Sequence, residues 1–351
     1  MRWVWVLGAL AAAVALAACG SSKPRAGAIA VPTGALAYLR GGNAVIAKPG
    51  GRDPRVLGPA QQALLAPDGT AVIGLNDPGG RVALSVYAVK RRRVVPRVVA
   101  VLAPPDYSTR HVELRGWSPD SRYVVLSANE ISSAGEEGAL LVLDTRDGEL
   151  QTITRGTLLG ASFAPSLPDR LVYARASIVQ LDDNESSVWV ARVDGTQRQL
   201  LTSGALAGWP LWTAGGIYFA RLERLGTRTA SPVYGLWRIK LGKGRGVEEI
   251  PGLSGGPPAG PLFASASGRR VVANLDSRSG GAVEVWAAQL GRAGWSVAQL
   301  SVGGIANGVS SDGKLILANV FGARPLIDRL RWGGGSVRVL ATDAGAAGWN
   351  Q

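Results

Sequence analysis

Cys19 and His111 are the only cysteine and the only histidine in the 351 residues, and that scarcity bounds the chemistry open to the chain. A serine–histidine–aspartate set would need His111 as its base, and no separate hydrolase domain accompanies it. His111 instead precedes the run Val112-Glu113-Leu114 and reads as a strand-end residue. With one histidine and no second cysteine, only oxygen-ligand sites for calcium or magnesium are open. The densest acidic stretches are Asp182-Asp183-Asn184-Glu185 and Glu136-Glu137. Neither has the alternating ligand spacing and glycine of a calcium loop, so both read as solvated loops. The residues therefore predict no catalytic set, no metal and no cofactor. The densest basic run is Lys90-Arg91-Arg92-Arg93, with Arg97 close by. It reads as a solvated turn on the rim, and the functional reading of the same run is contact with an anionic surface.

Cys19 carries its own signal through its position. Arg2 supplies a positive start, Trp3 to Ala15 an apolar stretch, and Leu16-Ala17-Ala18-Cys19-Gly20 a small-residue cleavage site. The uncharged run from Trp3 to Ala18 falls short of the roughly 20 residues needed to cross a hydrocarbon core. The segment resembles the lipobox of bacterial lipoproteins. That resemblance implies lipid attachment at Cys19, cleavage before it, and anchoring to the extracytoplasmic face of the cell membrane. Residues 1–18 then form the signal peptide and 19–33 a lipidated flexible tether rich in Gly, Ser, Ala and Pro. With Cys19 acylated, no cysteine is left for a disulfide or a thiolate zinc site.

Residues 34–351 are long enough for a large core, and 48 glycines and 20 prolines break the chain into short apolar runs. Few stretches hold a helical period, which predicts an all-β domain. The net charge of +13 favours anionic partners. For an exported chain these are lipid headgroups or wall polymers rather than nucleic acid.

A repeat organises the domain. Turn anchors recur at Asp68, Asp120, Asp169, Gly215, Gly268 and Asp312, about every 50 residues, the period of a β-propeller blade. Gly116-Trp117-Ser118-Pro119-Asp120 is the fullest copy, and Val193-Asp194-Gly195, followed by Leu200-Leu201-Thr202, marks a later strand pair. Pro presets φ, Asp caps local amides and Gly accepts positive φ. Trp117, Trp189, Trp209, Trp212, Trp237 and Trp286 fall in repeat strands and are expected to fill the space between blades.

The two ends complete each other. Ala35 to Leu39, Ala44 to Ala47 and Arg55 to Leu57 match the later strands of a blade whose first strand is missing. Gly348-Trp349 resembles the start of a first strand, like Gly116-Trp117 and Gly208-Trp209. The prediction is a seven-bladed ring closed by pairing of the N- and C-terminal strands, which leaves no open edge. Six blades follow if the N-terminal fragment is not a blade.

The Trp-Ser-Pro-Asp and Val-Asp-Gly patterns resemble the TolB-like, WD40-like propeller repeat family over roughly residues 35–351. The resemblance implies a monomeric, non-enzymatic platform in the cell envelope that binds another envelope protein or a peptide or glycan. The alternatives are a propeller hydrolase or lyase acting on envelope carbohydrate, with Asp182, Asp183 and Glu185 as its first acids, or a module that binds an anionic wall polymer.

Overall fold

Short apolar runs separated by Pro, Asp, Ser and Gly turns can bury their faces only by stacking sheet on sheet. The computed structural model describes residues 35–351 except 49, 78–80, 90–95, 103–111, 133–134, 178–184, 227–231, 243–245, 278–282, 301–303, 322–325, 333–335 and 350–351. Seven sheets of four strands each form there, with neighbouring strands antiparallel and no helix among the described residues. This is an all-β, seven-bladed propeller.

Blade 1 combines both ends of the domain. Gly345–Trp349 pairs with Leu36–Arg40, which continues through Asn43–Lys48 and Arg52–Pro59. Leu36 faces Trp349 and Ala37 faces Gly348 across the join. The incomplete N-terminal blade is thus completed by the C-terminal strand, and the six-bladed alternative falls.

Blades 2 to 7 start at Gln62–Leu65, Val112–Trp117, Thr157–Ala164, Ala207–Thr213, Phe263–Ala264 and Gly304–Val309. Each of these first strands touches the first strand of the next blade, and the series returns to Gly345–Trp349. They are the inner wall of the ring. Side chains lock them together. Gln62 donates from Nε2 to the Val112 carbonyl at 2.6 Å and accepts from the Leu114 amide at 2.8 Å. Asn274 spans to Ala306 in the same two-way fashion, at 2.9 and 2.8 Å.

The apolar core is divided between the blades. One cluster joins Leu75 and Leu84 of blade 2 to Leu126 and Leu141 of blade 3. Another joins Val172 and Val188 of blade 4 to Ile217 and Phe219 of blade 5. Leu36 and Tyr38 of blade 1 meet Leu317 and Ile327 of blade 7, so packing is continuous across the join. Both faces of a blade are buried, which explains why its middle strands read as continuous apolar runs rather than alternating ones.

The recurring anchors fall at the turns between first and second strands, except Asp169, which lies within the second strand Leu167–Ser177. Ser118, Ser265 and Ser310 each accept, at Oγ, the amide five residues on, from Tyr123, Arg270 and Leu315. Glycine follows at positive φ in Gly69, Gly268 and Gly313, and Ser121 takes that conformation in blade 3 at φ 58°. Neighbouring turns bond to one another: the Asp68 amide to Ser121 Oγ at 3.1 Å, and the Ala266 amide to the Ser311 carbonyl at 3.1 Å. We call this the turn end of the ring and the opposite one the loop end.

Beside these turns, the Asp144 side chain is 8% exposed and is held by Arg122. Burial alone would raise its pKa, but the Arg122 guanidinium and the Arg146 amide outweigh it and hold the carboxyl below its ordinary value. A depressed folded-state pKa stabilises above the unfolded value, near 3.9, and that contribution is lost as pH falls through the folded value. Asp144→Asn is expected to lower the melting temperature by a few degrees at neutral pH. The gap from wild type should close below about pH 4, as followed by thermal melts across pH.

Candidate ligand site on the inner strands

Five of the inner strands carry a β-bulge, a device that re-aims a side chain and is over-represented beside functional sites. In Gly345–Trp349 the register shifts opposite Tyr38. In Val112–Trp117, Leu114 pairs with Leu126 and Gly116 with Val125, which leaves Arg115 as the extra residue. In Thr157–Ala164 the extra residues are Leu159 and Gly160. In Ala207–Thr213 they are Trp209 and Pro210, and in Gly304–Val309 it is Asn307.

Three of these bulges present groups suited to recognition. The Arg115 side chain is 14% exposed, contacts Glu113, and donates from Nε to Ser127 Oγ at 2.9 Å. Burial pushes its guanidinium below its ordinary pKa, while the Glu113 carboxylate pulls it back up. Trp209 stands in the left-handed region at φ 52°, an outlier for a bulky side chain. Its side chain is partly buried and packs against the apolar cluster between blades 5 and 6. Only glycine fits opposite: a Cβ on Gly160 would lie 2.9 Å from the Trp209 Cα. The third group is the Asn307 amide, whose Nδ2 is buried with no hydrogen-bond partner among the protein atoms. Guanidinium, indole and free amide are the groups that hold a carboxylate, a sugar face and a hydroxyl.

The residues singled out from the sequence lie elsewhere. Cys19 and the lipobox residues Leu16, Ala17, Ala18 and Gly20 fall outside the described residues, as do Lys90, Arg91, Arg92, Arg93, His111, Asp182 and Asp183. Glu136, Glu137 and Glu185 belong to the strands Gly135–Asp144 and Glu185–Arg192, and their side chains are likewise outside the description. Among the described residues no three His, Cys, Asp or Glu side chains come together as a metal cluster, and no helix is long and apolar enough to cross a membrane. The six repeat tryptophans do pack between blades: Trp117 in the cluster of blades 2 and 3, Trp189 in that of 3 and 4, Trp212 and Trp237 in that of 4 and 5, and Trp209 and Trp286 in that of 5 and 6.

Sequence reading also passed over Gly252-Leu253-Ser254-Gly255-Gly256, which has the spacing of a nucleophile elbow. The structure denies it that role. Ser254 lies within the outer strand Val247–Gly255, paired with Gly235, and not on a strand-to-helix turn. Arg115, Trp209 and Asn307 were not found as a site because no motif joins them. Their only sequence signal is a recurring position in the repeat.

No family model matches the chain, and no curated protein does. Solved structures do. An oligogalacturonate lyase in complex with manganese matches at a TM-score of 0.57 and 14% identity over 79% of each chain. The propeller domain of the trilobed protease of Pyrococcus furiosus, described as having an open velcro topology, matches at 0.56 and 13% identity, over 85% of this chain and 89% of that one. A protein assigned as TolB from Agrobacterium tumefaciens matches at 0.50 and 15% identity, over 75% of this chain and 89% of that one. These likenesses establish the propeller fold, with TolB-like structures among its neighbours. They also correct one expectation. The reading of the chain as a non-enzyme does not stand, because rings of this shape belong to a lyase and to a protease as well as to TolB. An all-β ring without a recognisable catalytic motif is no ground for excluding catalysis.

Proposed function

We propose that the protein is an exported, lipid-anchored propeller that binds an acidic carbohydrate of the cell envelope at the inner strands of its ring. The observation that carries this reading is that three bulged inner strands hold Arg115, a Trp209 at positive φ and an Asn307 amide without a partner among the protein atoms. Arg115 would pair with a uronate carboxylate, Trp209 would stack on the sugar ring, and Asn307 would donate to a hydroxyl. Cys19 supplies the anchor in this reading, so detergent-phase partitioning of the mature protein should vanish in Cys19→Ala. Partitioning that is unchanged in that variant would remove the anchor from the proposal.

The binding test uses oligogalacturonate as probe, with a neutral oligosaccharide of equal length as control. Arg115→Ala is expected to weaken binding of the acidic probe about 10- to 100-fold, the worth of one hydrogen bond to a charged group. Trp209→Gly, which relieves the left-handed strain while removing the indole, should cost roughly tenfold. Equal affinities for both probes, or wild-type affinity in Arg115→Ala, would rule the site out. A second reading is that the ring cleaves the polymer it holds, and the likeness to a lyase propeller favours it. Shortening of the probe in the same incubation decides that point.

A further inference from the structure

The turn end carries unpaired positive charge around its circumference. Arg97, Arg146, Arg198, Arg269, Arg292 and Arg331 are all exposed there, and none has an ion pair among the described residues. They come from blades 2, 3, 4, 6 and 7, so the charge forms a ring rather than a local patch. Several are pinned by backbone carbonyls instead of carboxylates: Arg198 reaches the Gly195 carbonyl at 2.8 Å and Arg269 reaches that of Leu290 at 3.0 Å. Carbonyl bonding fixes the side chain without neutralising it. Exposed carboxylates occur at both ends, Asp120, Asp147, Asp194 and Asp312 at the turn end and Glu113, Asp276 and Asp343 at the loop end, but the six turn-end arginines pair with none of them among the described residues.

The chain also enters the ring at the turn end. Leu36, the first residue of its strand, pairs with Trp349 and Ala47, and Ala47 leads into the turn that precedes Arg52–Pro59. The chain between Cys19 and Leu36 can reach at most on the order of 60 Å.

We infer that the turn end is a docking face for an anionic lipid bilayer, so that the ring sits on the membrane with its loop end turned outward. The inference rests on the lipid-anchor reading of Cys19. It supplies what an anchor alone lacks, namely a fixed orientation. Juxtamembrane arginines gain most where the surface is anionic, and the gain is confined to about a Debye length.

The test uses the full chain with Cys19→Ala, so that the lipid does not dominate, and vesicles of phosphatidylcholine with or without phosphatidylglycerol. The readout is the ratio of partition coefficients for the two vesicle types, in which any contribution of the apolar N-terminal segment cancels. Arg146→Gln, Arg198→Gln, Arg269→Gln and Arg292→Gln combined should lower that ratio about fivefold per arginine, several hundredfold in all. The matched control at the loop end, Arg155→Gln, Arg175→Gln, Arg224→Gln and Arg81→Gln, the last exposed at the start of Val82–Ala88, should change it little. High salt should abolish the preference in the parent. Equal effects of the two quadruple variants, or no preference for the anionic vesicles in the parent, would overturn the inference. Loss of detergent partitioning by the mature protein in Cys19→Ala is measured separately, so a failed anchor and a failed docking face give different results.

Discussion

Removal of Gly345–Gln351 should cost on the order of 3–6 kcal/mol and make the chain associate more than the full-length one does. Four of the five residues of the strand Gly345–Trp349 are Gly or Ala, and the strand is held by its ladder to Leu36–Arg40. Each bond of such a ladder is worth about 1 kcal/mol net, and the loss is compounded where the missing strand no longer covers Leu36 and its neighbours in the cluster shared with blade 7. Against a total of about 5–15 kcal/mol, that is a large fraction of the stability of the fold. The truncation also bares Leu36–Arg40 as an edge strand, and a bare edge invites pairing with a second copy. Denaturant unfolding and size-exclusion chromatography read the two effects. A truncated chain that associated no more than the full-length one, at wild-type stability, would show that closure of the ring does not depend on this strand.

The same seam is tested from its outer rim by a single methyl group. Gly51, in the turn before Arg52–Pro59, stands at φ 74°, and a Cβ there would lie 2.2 Å from the Leu340 carbonyl oxygen of blade 7. Gly51→Ala therefore combines a left-handed alanine with a backbone overlap that cannot be relieved by a rotamer change. The expected cost is about 2–4 kcal/mol, from roughly 1 for the conformation and 1–3 for overpacking. Gly41→Ala is the control, since Gly41 has φ 53° but open space around its Cβ position. Its cost should stay near 1 kcal/mol, the conformational part alone. Equal midpoints for the two variants in urea unfolding would mean that blades 1 and 7 are not in close contact at this turn.

The two variants bear on how the fold could be read in advance. The period of the anchors and the missing first strand at the N-terminus were legible because both depend on local pattern: a turn needs its Ser, Pro, Asp or Gly in fixed order, and a strand needs its apolar run. Gly348-Trp349 was recognisable as a first strand for the same reason. Gly51 was not legible as a contact point. Nothing near it in the chain says that the Leu340 carbonyl lies opposite, because that approach depends on how the seventh blade meets the first.

The candidate site divides in the same way. Lys90 to Arg93 stood out because its charges are consecutive, whereas Arg146, Arg198, Arg269 and Arg292 are single residues in separate repeats. They share one end of the ring only because each falls at a turn on the same side of its blade. Arg115, Trp209 and Asn307 are likewise separated by one or more blades, and they are marked by a slip in strand register that no composition or period encodes.

By itself, then, the sequence determined the all-β class and the repeated blade and pointed to the pairing of the two ends, since these follow from local turn chemistry and the length of a repeat. The structure decided for seven blades over six. Tertiary structure alone decided which residues face one another across the ring. Closure fixes the spacing of seven sheets at once, and that geometry selects where a strand must bulge, which carbonyl a glycine must admit, and which end of the ring gathers the unpaired charge.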